Sequence, residues 1–295
     1  PMLTTHQALL AQTPQFDAAA AEALAFQHYG WQAQATPLPS ERDQNFLLLV
    51  GGERFVLKIA NAAEPQAALA MQQAVLAHLA SRLDCCPRVM PTLGGATLAE
   101  IAGRDGARHW LWAISYLPGK PLGEAGRRSP GLLEDLGRSV GALDRALADF
   151  EHPGAHREFH WDLAHGLAVV RQHRALFSDA ALGTLVDQLA APFAQHTAPL
   201  LPQLRRSAIH NDLNDYNVLV GGDGDLYTRS QRVVGLVDFG DMVHSYTVAD
   251  LAIAAAYALL DAPDPLAATA AIVRGYHQAY PLEAAELAAL FGLIG

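Results

Sequence analysis

Two short stretches hold side chains that could do chemistry together. IHNDLNDYNVLV, Ile209 to Val220, presents His210, Asp212 and Asn217 between apolar, β-rich residues, and GLVDFGD, Gly235 to Asp241, follows with Asp238 at the end of another such run. Carboxylate and amide oxygens are hard ligands suited to Mg²⁺, and a carboxylate beside a hydroxyl can take its proton. A third β-rich run, Arg54 to Ile59, carries Lys58 near its end. Phosphoryl transfer from ATP needs metal ions on oxygen ligands, a carboxylate near the attacking hydroxyl and a cation on the phosphates. Asp212, Asn217, Asp238 and Lys58 supply those functions.

The spacing adds specificity. His210-x-Asp212 with Asn217 five positions on resembles the catalytic loop of the protein-kinase-like superfamily. Asp238-Phe239-Gly240 resembles its metal-binding triplet, and Val56-Leu57-Lys58 its third-strand lysine. Each motif is weak alone; the three in this order, on these element types, are not. Asn211 stands where protein kinases carry Arg, and no Ala-Pro-Glu segment follows Gly240, which turns the likeness away from protein substrates. The loop is similar to that of aminoglycoside phosphotransferases and their small-molecule relatives, the choline, homoserine and hydroxylysine kinases. LPSERDQNFLLLVGGERFVLKIAN, Leu38 to Asn61, with SYLPGKPL, Ser115 to Leu122, most resembles the hydroxylysine-kinase-like group. The likeness runs from Pro14 to Leu290. It implies a bilobal kinase fold with ATP between the lobes and Mg²⁺ as cofactor. In that group the kinase is sometimes fused upstream of a pyridoxal-phosphate-dependent aminotransferase-like domain, so the chain is expected to be one domain of a longer protein.

Roles follow from the resemblance, position by position. Lys58 would contact the α- and β-phosphates, Asp212 would orient the acceptor hydroxyl and take its proton, and Asn217 and Asp238 would hold Mg²⁺. His210 would brace the loop, Asp250 would tether it, and the backbone of Ser115, Tyr116 and Leu117 would meet adenine. No glycine-rich loop precedes the first hairpin; Ser40, Arg42 and Asn45 occupy the phosphate-covering position. The helix after Lys58 offers Gln72 where a Glu partner is expected, with Glu64 as the substitute. An amino-alcohol acceptor would bring an ammonium that wants carboxylates or an aromatic face; Asp215, Tyr216, Asp241, Trp161 and Asp162 are the candidates.

The elements that must position these residues can be read from pattern. Pro14 to Gly30 reads as an opening helix ended by Gly30, and Asn45 to Val50 with Arg54 to Ile59 as a hairpin turning on Gly51-Gly52. Gln66 to Leu83 repeats apolar residues at helical spacing. Strands are expected at Ala96 to Ala102 and His109 to Leu117, and Pro118 to Pro121 as a linker. From Leu132 the chain reads as mostly helical. An α+β protein results, with a strand-rich lobe over residues 1–117 and a helical lobe over 118–295.

Composition narrows the class. The chain has 295 residues, is 51% hydrophobic and 17% charged, and can bury a sizeable core. A formal net charge of -10 argues against nucleic acid held by phosphate neutralisation. Cys85 and Cys86 are adjacent and offer neither an ordinary disulfide nor a spaced metal framework, which points to a reducing, cytoplasmic setting. The longest apolar run, Leu251 to Leu260, is too short to cross a bilayer. Blander readings stand beside these. Asp212 and Asp238 could be helix caps or turn residues, and Asp162 a helix-start cap behind a buried Trp161. His152, His156 and His160 suggest a metal face that Pro153-Gly154 would interrupt. Gly221 to Asp225 resembles a Ca²⁺ loop but reads better as a turn. The rival from another class is a pseudokinase module that binds nucleotide and regulates a fused partner.

Overall fold

The computed structural model describes residues 13–40, 42–103, 106–126, 128–221, 231–260 and 262–295. Residues 222–225 of the Gly/Asp turn, and Glu41, lie outside that set. The chain divides into two compact units, one made of Pro1–Ala80 and Pro87–Leu117, the other of Ser81–Cys86 and Pro118–Gly295.

The first unit is built on an antiparallel sheet of six strands: β1 (Ala33–Leu38), β2 (Gln44–Val50), β3 (Glu53–Ile59), β4 (Val89–Met90), β5 (Ala99–Ala102) and β6 (Arg108–Ser115). Their order is β1-β2-β3-β6-β4, with β5 also on β6. Val50 pairs with Glu53 across Gly51 (φ 56°) and Gly52 (φ 93°). Two consecutive positive φ values suit the twist of a two-residue hairpin, and glycine adopts them without a Cβ clash. β1 was not anticipated from the sequence; it contains Pro37, which an edge strand tolerates because one side of it needs no donor.

Helix α1 (Ala18–Tyr29) starts at Asp17, whose carboxylate accepts from Ala20 N–H at 2.8 Å, and ends at Gly30 in the left-handed region. It lays Ala21, Ala25 and Tyr29 on Phe46, Leu48, Leu57, Ile59, Leu111 and Ala113 of the sheet. Small residues on the helix let it approach the large ones on the strands. Helix α2 (Gln66–Leu79) buries Leu69, Met71, Val75, Leu76 and Leu79. It stops four residues before the expected Leu83, and Ser81–Cys86 groups with the second unit instead. There Cys85 O accepts from Leu236 N–H at 2.8 Å, and Arg82 lies 3.5 Å from Asp149.

The second unit is chiefly helical. α3 (Pro130–Leu147) is capped by Ser129, then come α4 (Gly166–His173), α5 (Ala180–Pro192), α6 (Val248–Ala258), α7 (Pro265–Ala279) and α8 (Ala284–Ile294). α3 and α7 pack backbone to backbone: a Cβ on Gly137 would stand 1.8 Å from Ile272 O, and one on Gly275 1.8 Å from Glu134 O. Only hydrogen fits at either point. α6 is buried along most of its length. Two small antiparallel ladders complete the unit. One joins β7 (Lys120–Pro121), β9 (Val218–Gly221) and β10 (Arg232–Leu236); the other joins β8 (Arg206–Ile209) and β11 (Val243–Tyr246). Among the described residues no helix is long and apolar enough to cross a membrane.

Candidate active site

Strand register brings the two sequence motifs together inside the second unit. Ile209 pairs with Val243 and Val218 with Leu236. The chain therefore leaves β8 through His210–Asn217 to reach β9, and leaves β10 through Val237–Met242 to reach β11, so the two loops run side by side. Val237 N–H donates to Asn217 O at 3.0 Å, which seats Asp238 next to Asn217. His210, fully buried, donates through Nε2–H to Val237 O (3.0 Å) and tilts its ring on Phe239 at a centroid distance of 4.7 Å. The bracing histidine thus ties one loop to the other.

Both loops hold strained backbone. Among the described residues, Asn211 (φ 67°) and Asp238 (φ 65°) have positive φ without being glycine. Asn and Asp tolerate this region best, and such strain persists where surrounding contacts over-determine it. Asn211 Nδ2 donates to Asp241 O at 3.1 Å, a second cross-link. Arg157 anchors the second loop from outside, giving Nη2 to Gly240 O at 2.7 Å and Nε to Met242 O at 3.1 Å.

Both carboxylate oxygens of Asp212 are held. Its Oδ1 accepts from Asn214 Nδ2 at 2.9 Å and its Oδ2 from Asn217 Nδ2 at 2.9 Å; the same Asn217 amide also donates to Asp212 O at 2.8 Å. Asn214 Oδ1 in turn accepts the backbone N–H groups of Tyr216 (2.8 Å) and Asn217 (3.1 Å). Burial pushes the Asp212 carboxyl above the usual range, the Asn214 hydrogen bond opposes that, and the charges of Asp241 and Asp238 add to it. A carboxylate made more basic in this way suits a proton acceptor.

Behind the loop sits Asp250 on α6, fully buried. Its two carboxylate oxygens accept from His210 N–H and Asn211 N–H, each at 2.7 Å. A second buried carboxyl, Asp144 on α3, receives Tyr276 O–H at Oδ2 (2.6 Å), while no donor reaches its Oδ1. Burial drives the Asp144 carboxyl well above the usual range, and the Asp250 charge drives it further. Burial raises the Asp250 carboxyl as well, opposed by His210 and the two backbone donors. Asp144 is thus held further toward its neutral form than Asp250, and the two buried carboxyls titrate as a pair.

The first unit contains the remaining nominated residues. Lys58 faces Asn45 across one ladder and Trp112 across the other, with its Nζ 5.3 Å from the indole centroid. Asn45 Oδ1 is buried without a hydrogen-bond partner, an acceptor left open beside Lys58 in the register. Arg42 O accepts from Asn61 Nδ2 at 3.1 Å, and Ser40 is exposed at the end of the β1 segment. Ser115 N–H donates to Arg88 O (2.8 Å), its Oγ accepts from Arg88 N–H (2.9 Å), and Tyr116 N–H donates to Arg54 O (3.2 Å). Those two amides are committed inside the unit; Leu117 follows, partly buried. Gln72 lies on the buried face of α2, and Glu64 in the turn before it.

The acceptor candidates separate on inspection. Asp215 is ion-paired with Arg128 at 3.3 Å, and Arg128 is itself pinned by the carbonyls of Tyr257 (3.0 Å) and Ala258 (2.8 Å). Asp162 is buried, caps Ala164 N–H at 2.9 Å and accepts Ser245 O–H at 2.5 Å through the same oxygen. Both carboxylates already have local work. Trp161 and Tyr216 are exposed, at 65% and 62%. Asp241 is the candidate whose charge is felt at Asp212. Nothing in a single sequence ties Arg157 and Asp144, far away in the chain, to the motif loops, whereas Asn214 lies within the quoted loop and only its contacts show its part.

The oxygen set fits a hard divalent cation. With its NH₂ committed to Asp212, Asn217 has its amide oxygen left to coordinate, and exposed Asp238 adds a carboxylate beside it.

Comparison with known proteins agrees with this geometry. The model of the phosphotransferase enzyme family matches residues 34–287. Hydroxylysine kinase of Mus musculus is 30% identical over 305 residues, covering 95% of this chain and 79% of that protein. Among solved structures, a microcompartment-associated aminopropanol kinase superposes with a TM-score of 0.73 at 20% identity, over 94% of this chain and 86% of its own. Amicoumacin kinase hAmiN, in complex with AMP-PNP, Ca²⁺ and Ami, superposes with a TM-score of 0.70 at 18% identity, over 98% and 85%.

Proposed function

Since the chain belongs to the phosphotransferase enzyme family, we propose that it is an ATP-dependent small-molecule kinase acting on the hydroxyl of an amino acid or amino alcohol. Hydroxylysine or ethanolamine typify the acceptor. The observation that carries this reading is the double clamp of Asn217 and Asn214 on Asp212, beside Asp238 on the neighbouring loop. It builds a basic carboxylate and a metal-binding oxygen set into one loop pair.

In this reading Asp212 accepts a hydrogen bond from the acceptor hydroxyl, orients it in line with the γ-phosphoryl group and takes its proton as the bond to phosphorus forms. Asn214 keeps the carboxylate from rotating. Asn217 and Asp238 would hold Mg²⁺, which when bound neutralises charge on the phosphate oxygens. Lys58 is assigned to the α- and β-phosphates, and Ser40, Arg42 and Asn45 to the phosphate cover. The N–H groups of Ser115 and Tyr116 are already engaged, so adenine recognition falls to Leu117 and to the carbonyls of the segment. Nothing in the motifs supplies a nucleophile of the enzyme's own, and transfer is direct. Asp241 is the leading candidate for the acceptor's ammonium, with Trp161 and Tyr216 as exposed aromatic partners. Adjacent Cys85 and Cys86 suit a reducing cytoplasm.

The test is ATP consumption with Mg²⁺ across hydroxylysine, ethanolamine, choline, homoserine and kanamycin, with Asp212→Asn as the blank. One strong acceptor, silent in the blank, establishes the activity. Silence across the panel with ATP still bound would favour the regulatory pseudokinase, to which Gln72 in place of a glutamate lends some support.

A further inference from the structure

We infer that Glu151, His156 and His244 form a second metal site in this unit, one that takes a borderline transition metal of the Zn²⁺ type. His156 Nε2 lies 3.0 Å from Glu151 Oε2, His244 Nε2 lies 3.9 Å from Glu151 Oε1, and one ligand atom from each residue falls within 4.8 Å of the others. In a tetrahedral zinc site with bonds of about 2.0–2.1 Å, neighbouring ligand atoms stand roughly 3.4 Å apart. Small side-chain rotations close the present spacing to that. The two imidazoles already stack, with centroids 4.5 Å apart and planes 25° apart.

The ligands sit on fixed backbone. His244 is in β11, paired with Ala208, and its carbonyl accepts from Arg206 Nη2 at 3.2 Å. His156 closes the short turn Pro153–Ala155, its N–H donating to Pro153 O at 3.2 Å, and the next residue is Arg157, anchored on Gly240 O and Met242 O. Glu151 and His156 are exposed while His244 is mostly covered, so a metal has a way in and water can complete the shell. Arg206 is the charge that opposes a cation there.

Ligand chemistry separates this cluster from the oxygen set at Asn217 and Asp238. Two imidazoles and one carboxylate select Zn²⁺ over Mg²⁺, whereas the oxygen set does the reverse. Of the histidines that the sequence spacing singled out, His156 alone takes part. His152 accepts Gly154 N–H at 3.0 Å through Nδ1, and His160 packs against Phe159 and Trp161. An occupied site would staple the 151–157 segment to β11, the strand that follows the Asp238 turn.

The test uses the purified whole chain without nucleotide. Zn²⁺ alone is titrated by calorimetry, Co²⁺ alone by visible absorption, and melting is followed with and without Zn²⁺. Expected are one equivalent of Zn²⁺, the intense visible bands of tetrahedral Co²⁺ and a higher melting temperature. His156→Ala and His244→Gln should each weaken binding by at least about tenfold and abolish the bands, and Glu151→Gln should weaken it, while Asp238→Asn leaves all three readouts intact. No binding to the parent chain, binding that survives both histidine substitutions, or loss of binding in Asp238→Asn would each overturn the inference.

Discussion

The side-chain amide of Asn217 donates to two oxygens of one residue, the main-chain carbonyl of Asp212 at 2.8 Å and its Oδ2 at 2.9 Å. The residue proposed to hold Mg²⁺ thereby fixes the carboxylate proposed to take the proton, and removal of either should be felt at the other. Asn217→Ala is expected to lower kcat and raise the Mg²⁺ requirement together, measured by steady-state rates across a Mg²⁺ series. A change in one alone would separate the two roles.

Asp212→Asn should cut kcat by about 10²–10⁴ with ATP affinity unchanged by calorimetry. The folded carboxyl is raised by burial, so its ionisation opposes folding. Its contribution to stability is complete below the ordinary carboxylate range and is lost as pH rises through the raised value. Asp212→Asn should therefore melt higher than the parent near neutrality, with the gap closing in acid. In the active enzyme kcat should fall with acidification starting above the pH where an ordinary aspartate would titrate.

Asn214 touches both ends of the loop, and Asn214→Ala should lower kcat roughly 10–100-fold with the acceptor's KM little changed. A KM effect without a kcat effect would move Asn214 to the acceptor pocket.

The buried carboxyl pair predicts an asymmetry. Burial and the Asp250 charge favour the neutral form of Asp144, so the uncharged Asp144→Asn should cost little stability. Asp250→Asn loses a charged acceptor for two N–H groups and should cost about 3 kcal/mol, read from denaturant midpoints. Equal losses would mean that Asp144 is not held toward its neutral form.

Asp241→Ala should raise the acceptor's KM far more than that for ATP. Asp162→Ala should instead lower the melting temperature, because its carboxylate caps Ala164 and receives Ser245. A selective KM effect from Asp162 would reverse the assignment.

Local features were the legible ones. Gly30 as a helix end, Gly51-Gly52 as a turn and the loop motifs all depend on neighbours in sequence, and each is where it was expected. β1 is not legible because Ala33 to Thr36 alternates over only four residues before Pro37 breaks the pattern, and only pairing with β2 makes the segment a strand. α2 was drawn too long because its apolar spacing continues to Leu83 although the chain crosses to the other unit after Ala80. Asp162 and Asp215 were nominated for their charge, and the partners that engage them, Ser245 and Arg128, are far away in sequence.

The ties that hold the two loops in place have a common character: His210 reaches Val237 O, Asn211 reaches Asp241 O, Arg157 reaches Gly240 O and Met242 O, and Asp250 receives two backbone N–H groups. Each grips main chain, which every residue type provides. Exposed side chains that take no part in these ties, Tyr216 among them, can therefore change identity without loosening the scaffold. On the proposed assignment of Tyr216 to the acceptor, a lineage could retune specificity there while the geometry of the loop pair is inherited intact.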